Sequence, residues 1–497
     1  MPEKRSFFII TLGIIILGIA SSGFGYDLEK RVQSYTLKNG LKILMVERHL
    51  SPTVSFYIRH RVGAVDESDG KTGAAHLLEH MMFKGTKTIG AKNYRKEQRI
   101  LDRIFKTGNE IDLITRKATD ADRKRLEFLK NRLETLQKEH KTLFIENEID
   151  RLYTENGADD SNASTGQDLT TYNVSLPSNK IELWARIESD RMVNPVFRDF
   201  YTERSVVMEE RKQRIDSDPE GQLFERFFAA AFMCHPYRRP IIGWAYDIRY
   251  LDPQYLLTLF KRYHAPNNTV IAIVGDIDHA STLKIVQKYF GHIPPQDTGM
   301  PFVTEEPSQK GERRIQIESD ANPHVLIGYH KPAMPSFDDY VFDVIDSILS
   351  RGRTSRLYKT LVEEKGIAES INTINGMPGS RYPNLFVISA KPRHPHTDAE
   401  LESAIYEELE KIKTSRVLER ELEKTKNQLK ADFIRNLDSN RGLANMLSYF
   451  EILTGDYRYI TNHVNVIERV SSDDIMRVAT RYLTRDNRTV ANLMKKK

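Results

Sequence analysis

The sequence predicts an α+β protein of two related halves, each an antiparallel sheet backed by helices, with a helical-hairpin insertion in the first half. Three observations lead to this fold class. Apolar and polar residues alternate around an Asn-Gly turn, a long charged tract spaces its apolar residues like a helix, and one helix-turn-strand pattern occurs twice. The length agrees, because 497 residues exceed the ~250 to 300 at which single cores stop growing.

The first strands are predicted at residues 34–37 and 41–46, on either side of a turn that contains Asn39-Gly40. Asn-Gly between two alternating runs is the strongest short-range sign of a β-hairpin. Residues 53–62 alternate again and predict a third strand, and residues 74–83 then predict a helix.

The tract from residue 94 to about 153 predicts two amphipathic helices, which form an insertion at about residues 92–155. Thr119 or Asp120, between the two helices, is a candidate N-cap for the second one. Many Lys, Arg and Glu side chains indicate a solvated hairpin rather than a binding surface. The apolar residues at helical spacing are Ile100, Leu101, Ile104, Leu126, Leu129, Leu133 and Leu136.

The first half continues with a predicted strand at 169–176 that ends in Pro177, helices at 180–194 and 200–215, and a buried strand at 268–276. These alternating strands and helices complete one α+β unit.

Residues 294–311 are rich in Pro and Gly and predict a linker between an N-terminal domain at 30–293 and a C-terminal domain at 312–497. A short repeat in the sequence is the evidence that the two domains are related. Arg262-Tyr263 and Arg481-Tyr482 each end a predicted helix that leads through a polar turn into a strand. This repeat predicts an internal duplication.

Residues 1–25 have the three-part pattern of a secretory signal peptide, with Lys4-Arg5, an apolar run at 7–20 and a small, polar end. The apolar run is shorter than the ~20 residues of a membrane span, which favours cleavage over the alternative of an uncleaved anchor. Both interpretations place the remaining chain outside the cytosol. Export of a chain whose one cysteine, Cys234, forms no intrachain disulfide favours a bacterial periplasm, with no membrane attachment after cleavage.

The composition excludes several classes of protein. Hydrophobic residues make up 39% and charged residues 29% of the chain, which suits globular cores and excludes a polytopic membrane protein or a wholly disordered chain. Lys and Arg number 74 against 69 Asp and Glu, so nucleic-acid binding, which requires a concentrated basic face, has no support. With one cysteine, any metal must bind to His and carboxylates.

The segment His76-Leu77-Leu78-Glu79-His80 is the strongest chemical motif. On a helix, His76 and His80 lie one turn apart on the same face, with Glu79 beside them. Two imidazoles with an open coordination position suit catalytic zinc, and a carboxylate next to bound water can take its proton. All the metal chemistry therefore falls in the first half of the chain.

A third ligand is needed, and residues 200–211 offer two candidates. Seven residues make two helical turns, so Glu203 and Glu210 share a face, and Val206 and Val207 are expected to anchor that face inward. Glu209 points about 100° away, which favours Glu210. If Glu203 and Glu210 stood alone in the sequence, two solvated glutamates would be the simpler interpretation. The upstream His-x-x-Glu-His motif reverses that preference and favours a metal ligand.

The stretch Gly-Ala-Ala-His-Leu-Leu-Glu-His-Met-Met-Phe-Lys-Gly-Thr at residues 73–86 closely resembles the pitrilysin/insulinase family of zinc metallopeptidases, inverzincins in which His-x-x-Glu-His reverses the commoner order. It is most similar to the short-chain branch that includes mitochondrial processing peptidase. Further matches lie at Asn162-Ala163-Ser164-Thr165 with Asp168, Thr170 and Tyr172, at Glu203 to Glu210 with Asp218-Pro219, at His235-Pro236-Tyr237 with Gly243-Trp244, and from Tyr263 to Gly275.

The resemblance implies one Zn²⁺ per chain, held by His76, His80 and Glu210. It implies that Glu79 is the general base that activates metal-bound water, and that Glu203 orients the site. A peptide substrate would add to the edge strand that carries Asn162, Ala163, Ser164 and Thr165. The implied activity is a metalloendopeptidase that cleaves unstructured peptides inside a two-subunit chamber. The alternatives are a catalytically silent assembly or scaffold subunit and a zinc hydrolase for a non-peptide substrate.

Two departures from the family pattern affect these expectations. Active relatives carry an Arg and, seven residues later, a Tyr that stabilise the developing oxyanion, and this chain has Val362 and Glu369 there. We therefore expect a related partner subunit that supplies the Arg and Tyr, and otherwise a homodimer or substitution by Arg356 or Tyr358. The second departure is the insertion, which could extend the chamber wall or gate entry, although a surface hairpin is the simpler interpretation.

Overall fold

The computed structural model describes residues 28–117, 122–299 and 303–496. The predicted signal peptide and the candidate caps Thr119 and Asp120 therefore lie outside the described residues. Within those ranges, none of the helices is both long and apolar enough to cross a membrane.

The first half forms a six-stranded sheet in the order β1-β2-β6-β3-β5-β4. The predicted hairpin is present as β1 and β2, with Tyr35 opposite Ile43. All neighbours are antiparallel except β2 and β6, which run parallel. The strands are β1 Gln33–Thr36, β2 Lys42–Glu47, β3 Thr53–His60, β4 Asp159–Thr165, β5 Thr170–Pro177 and β6 Thr269–Gly275.

The second half forms a five-stranded sheet in the order β7-β11-β8-β10-β9, in which β7 and β11 are the parallel pair. In each sheet the last strand in sequence lies beside an early strand after a helical crossover, and such a crossover produces a parallel neighbour. The predicted α+β class with two related halves is confirmed, with one parallel pair in each otherwise antiparallel sheet. The strands are β7 Arg313–Ser319, β8 His324–Lys331, β9 Ala368–Met377, β10 Asn384–Pro392 and β11 Arg488–Lys495.

Helices cover the sheets and fill the connections. Those before residue 300 are α1 Ala74–Met81, α2 Tyr94–Lys117, α3 Arg123–Lys141, α4 Glu148–Glu155, α5 Ile181–Val193, α6 Phe200–Arg211, α7 Pro219–Ala231, α8 Ala245–Arg249, α9 Pro253–Tyr263 and α10 His279–Phe290. Those after it are α11 Phe337–Ser350, α12 Asp398–Thr414, α13 Glu419–Asn436, α14 Asn440–Thr454, α15 Tyr459–Arg469 and α16 Ser472–Tyr482.

The predicted insertion is the pair α2 and α3, which pack against each other and are followed by the short helix α4. An ion pair of 2.7 Å between Arg125 and Glu110 links the two long helices. Their inner faces bury Ile100, Leu101, Ile104, Leu129 and Leu136. The helical-hairpin insertion is therefore present where the apolar spacing placed it.

The repeated helix-turn-strand segments form the same local structure in both halves. The side-chain amide of Asn268 donates to the Tyr263 carbonyl at the end of α9 over 2.8 Å. Asn487 donates to the Tyr482 carbonyl at the end of α16 over the same 2.8 Å. The matching hydrogen bond supports the internal duplication that the sequence predicts.

Two helices are exchanged between the halves. Helix α7 of the first half packs on the second sheet, where Leu223 and Phe227 join a buried cluster with Leu326 and Ala491. Helix α14 of the second half packs on β3 and β6 of the first sheet, where Arg59 donates to the Ser448 hydroxyl over 3.0 Å. Each sheet is therefore completed by a helix from the other half.

The two exchanged helices begin in the same way. The backbone N–H of Gly221 donates to the cap Asp218 over 3.1 Å, and that of Gly442 donates to the cap Ser439 over 2.9 Å. A Cβ on Gly221 would lie 2.0 Å from the Arg214 carbonyl oxygen, and one on Gly442 would lie 1.9 Å from the Asn436 carbonyl oxygen. These close approaches require glycine at both positions.

We predict that Gly221→Ala lowers the free energy of unfolding by about 1–3 kcal/mol, because the added methyl group overlaps the backbone carbonyl of Arg214 in the π-helical turn Lys212–Asp216 that precedes α7. Gly166→Ala is the matched control, since its Cβ would meet only the Leu169 carbonyl oxygen at 3.8 Å. Chemical denaturation of both variants measures the difference, and equal stability of the two would contradict this account of the helix exchange.

Candidate metal centre

The motif His76-Leu77-Leu78-Glu79-His80 lies on α1, as the sequence predicts. Leu77 and Leu78 face the core, which turns His76, Glu79 and His80 away from it. The buried carboxylate of Glu67 accepts the backbone N–H groups of Gly73 over 2.9 Å and Ala75 over 2.7 Å. It thereby satisfies free N–H groups at the start of this helix. Sequence reasoning missed Glu67, because it lies outside the spacing of an ordinary cap.

His76, His80 and Glu210 converge on one point. The Nε2 atoms of His76 and His80 each lie 3.7 Å from Oε2 of Glu210, and one ligand atom from each residue falls within 4.8 Å of the others. Donors bound tetrahedrally to Zn²⁺ at about 2.0–2.2 Å are separated by about 3.5 Å, so these positions fit zinc. Burial, and then the neighbouring His80, lower the pKa of His76 to about 3, which keeps this imidazole in the neutral form that binds metals.

Glu203 lies beside His80 rather than at the point of convergence. Its Oε2 atom is 3.4 Å from Nδ1 of His80, and its other oxygen accepts from Lys84. Burial acts to raise the pKa of Glu203, but the hydrogen bonds from His80 and Lys84 lower it. An ionised carboxylate on one ring nitrogen orients the other toward the metal position.

The face of α6 departs from one expectation. Val207 is buried, whereas Val206 is 45% exposed. A rotation of 100° per residue separates two consecutive side chains, so of the two valines only Val207 anchors the helix in the core. Glu209 is exposed to solvent, away from the point where the three ligand atoms meet.

Glu79 lies between the ligands and the edge strand β4. The Thr165 hydroxyl donates to its Oε2 atom over 2.5 Å. Burial raises the pKa of Glu79, and the hydrogen bond from Thr165 opposes the rise. A carboxylate in this position can accept a proton near neutral pH.

Asn162, Ala163, Ser164 and Thr165 lie on β4, which pairs with β5 on one side and forms the edge of the six-stranded sheet on the other. The free edge therefore offers main-chain N–H and C=O groups to an added strand.

A cavity of about 810 Å³ is lined by the three candidate ligands, by Glu79 and by these four strand residues. Phe224 and Phe228 of α7 form the facing wall, and Met377 and Pro378 reach it from the second half. The exchanged helix α7 thus separates the metal position from the second sheet.

Asp168 holds the second half against the site. Its Oδ2 atom accepts the backbone N–H groups of Ser380 over 2.6 Å and Arg381 over 3.1 Å, and its Oδ1 atom accepts the Tyr237 hydroxyl over 2.7 Å. Arg381 also binds both oxygens of Asp66 at 3.0 Å. Sequence reasoning placed Asp168 in the edge-strand motif but did not predict its contact with Ser380 and Arg381. These residues lie more than two hundred positions along the chain, so no local sequence pattern indicates the contact.

Val362 and Glu369 are not part of the cavity. Val362 packs against the core of the second half, and Glu369 is exposed on β9. Arg356, an alternative cation, is held by Glu421 through two hydrogen bonds of 2.9 and 2.7 Å. Neither Arg356 nor Tyr358 lines the metal cavity.

Two models of one protein family match successive parts of the chain. The family model described as insulinase (peptidase family M16) matches residues 42–106 and 135–244, and the model described as peptidase M16 inactive domain matches residues 250–429. The chain belongs to peptidase family M16. The pitrilysin/insulinase resemblance is confirmed, and the residues at 107–134 that the M16 model leaves out fall within the helical hairpin.

Relatives in family M16 match nearly the whole chain. The zinc protease PqqE of Helicobacter pylori is 27% identical over 96% of this chain and 96% of its own. The beta subunit of mitochondrial-processing peptidase from Lentinula edodes is 24% identical over 90% of this chain and 86% of its own. A solved structure of a Helicobacter pylori protease superposes with a TM-score of 0.78 and 26% identity over 93% of this chain and 99% of its own.

We predict that Glu203→Gln weakens zinc binding by about 10- to 100-fold, because a neutral amide no longer fixes the His80 ring as a carboxylate does. Competition with a chromophoric chelator measures the affinity. Glu209→Gln, on the exposed face of the same helix, is the matched control and is expected to bind zinc as the unchanged protein does. Equal zinc affinity in both variants would argue against a role for Glu203 at the metal.

Proposed function

We propose that the chain is a zinc-dependent endopeptidase that hydrolyses peptide bonds in unstructured peptides. The observation that carries this proposal is the convergence of His76, His80 and Glu210 beside Glu79 in a cavity whose rim is a free strand edge. His76, His80 and Glu210 would hold one Zn²⁺ per chain. When bound, the ion would act as a Lewis acid that lowers the pKa of water and polarises a carbonyl group.

The chain's own residues supply positioning and proton transfer. A peptide in extended form would add to β4 at residues 162–165 and bring its backbone past Glu79. Main-chain hydrogen bonds confer little sequence preference, so this mode selects extended peptides rather than folded proteins. Glu79 accepts a proton from water as the water attacks the peptide carbonyl, and it then gives the proton to the leaving amine. Thr165 holds the carboxylate of Glu79 in place between these events.

A second subunit would complete the enzyme. Val362 and Glu369 stand where active relatives carry the Arg and Tyr, and Arg356 is engaged by Glu421. We propose that a related subunit donates the missing pair to the cavity, with a homodimer as the alternative. The beta subunit of mitochondrial-processing peptidase is by name one part of a larger assembly, which supports a paired arrangement.

A catalytically silent subunit is the second candidate function. It is favoured by the match of residues 250–429 to a model described as the peptidase M16 inactive domain. The presence of His76, Glu79, His80 and Glu210 in one cavity favours the active form, because a silent chain has no need to keep the base beside three metal ligands.

We propose further that the chain is exported to a bacterial periplasm and divides into domains at 30–293 and 312–497 with a linker at 294–311. A structural neighbour, the periplasmic protease PqqL of Escherichia coli, superposes with a TM-score of 0.69 over 93% of this chain and 47% of its own. At 16% sequence identity this neighbour supports the fold alone, and the proposed location depends on the N-terminal sequence pattern.

We predict that Glu79→Gln lowers kcat for an unstructured peptide by about 10²- to 10⁴-fold, because an amide cannot accept the proton. Zinc content is expected to stay at one ion per chain. Chelator treatment of the unchanged protein should abolish cleavage, and added zinc should restore it. Native cleavage rates in the Glu79→Gln protein would refute the assignment of the base, and chelator-resistant cleavage would refute the metallopeptidase.

We predict that the chain alone cleaves peptides slowly and that the related subunit raises kcat/KM by about 10²- to 10³-fold, which is the effect of an oxyanion-stabilising donor. The matched control is the same subunit with its Arg and Tyr replaced by Val and Glu, which should associate but leave the rate low. Full activity of the chain by itself would contradict the need for a partner.

A further inference from the structure

A second cavity, of about 290 Å³, lies in the second half among α11, α13, α14, α15 and β9. It is separated from the metal cavity by the connection between β9 and β10. Gly376 near the end of β9 and Ser380 of this connection line the second cavity, whereas Met377 and Pro378 line the metal cavity.

The second cavity is the structural counterpart of the metal cavity. In both halves a helix follows the central antiparallel strand and precedes the edge strand: α1 between β3 and β4, and α11 between β8 and β9. Asp339 and Asp343 are four residues apart on α11, as His76 and His80 are on α1. Asp432 lies on α13, which is the second helix after β10. Its counterpart in the first half is α6, the second helix after β5, which carries Glu210.

The carboxylates of the second cavity do not form a metal site. Among the described residues, the only group of three or more His, Cys, Asp or Glu that could hold a metal is His76, His80 and Glu210. Asp339 is paired with Lys331, and Asp432 with Arg351 at 2.6 Å. Two of the three carboxylates are therefore already neutralised by the protein.

Asp343 is the exception. Within the described ranges it has no ion pair, and its Oδ1 atom accepts only the side-chain amide of Asn375 over 2.8 Å. Burial, and then the neighbouring Asp339, raise the pKa of Asp343 to about 7. A positive group in the cavity would stabilise its ionised form.

Two buried amide oxygens add hydrogen-bond acceptors. Oδ1 of Asn375 and Oδ1 of Asn384 are buried without a hydrogen-bond partner among the described residues, and Asn384 is only 1% exposed. Their amide nitrogens are already used, by Asp343 and by the Gly379 carbonyl at 2.8 Å. The oxygens therefore remain as acceptors for a ligand that donates hydrogen bonds.

Aromatic rings complete the lining, at Phe433, Tyr449, Phe450 and Tyr459. Such rings attract an organic cation through their faces. His463 also lines the cavity, and burial lowers its pKa to about 4, so the ring is neutral and does not repel a positive ligand.

We propose that this second cavity binds an organic cation whose primary ammonium group donates to Asp343, Asn375 and Asn384 while its carbon chain lies against the aromatic rings. The ammonium group belongs either to a free amine or to a lysine side chain or N-terminus of a peptide. The site is independent of zinc and of the proposed peptidase activity.

The test uses the full chain loaded with zinc and n-butylammonium as the probe, with saturation-transfer NMR as the measurement. Binding is expected to be saturable, and n-butanol, a neutral molecule of the same shape, is expected not to compete. Asp343→Asn should weaken binding of the probe at least about tenfold, because the neutral amide lacks the negative charge that pairs with the ammonium group.

Asp346→Asn is the matched control. Asp346 is a half-buried carboxylate on the same helix, one turn on, where it accepts the Thr373 hydroxyl over 2.7 Å and does not line the cavity. This variant should bind the probe as the unchanged protein does. Equal weakening in both variants, or unchanged binding in Asp343→Asn, would overturn the proposal, as would equal competition by n-butanol.

Competition assigns the source of the ammonium group. Displacement of the probe by a lysine peptide, but not by its norleucine counterpart with an acetylated N-terminus, would support a peptide source. Displacement only by free amines would support a small-molecule source.

Discussion

The exchange of helices α7 and α14 is the constraint on which the rest of the structure depends. Each half by itself leaves one face of its sheet without the helix that covers it, and a sheet face must be buried to be stable. Leu223 and Phe227 therefore pack on the second sheet, while Arg59 and Ser448 join α14 to the first. The two halves are held as one unit because neither core is complete without the other.

The metal cavity follows from this exchange. Helix α7 turns one face toward the second sheet and presents Phe224 and Phe228 to the cavity on another. Asp168 accepts two backbone N–H groups of the β9–β10 connection and so holds Met377 and Pro378 at the same wall. The proposed zinc ligands belong to the first half, but residues of both halves line the cavity in which a peptide would lie.

Duplication gave the two halves one architecture with different chemistry. Where α1 presents two imidazoles, α11 presents two carboxylates at the same spacing. The two imidazoles of α1 converge with Glu210 closely enough to share one ion. In the second half, Asp339 is paired with Lys331 and Asp432 with Arg351. The same place in the fold can therefore hold a metal in one half and favour an organic cation in the other.

The sequence by itself determined the features that depend on local periodicity. His76, Glu79 and His80 share one helix and Glu203 and Glu210 another, so a repeat of 3.6 residues predicted which side chains face together. The helical insertion was predicted for the same reason, and the hairpin was predicted from the two-residue alternation on either side of the Asn-Gly turn. Tertiary structure alone decided the exposure of Val206, the capping role of Glu67, the contact of Asp168 with Ser380 and Arg381, and the second cavity. Each of these depends on how distant segments pack, and no short-range pattern in the chain records that packing.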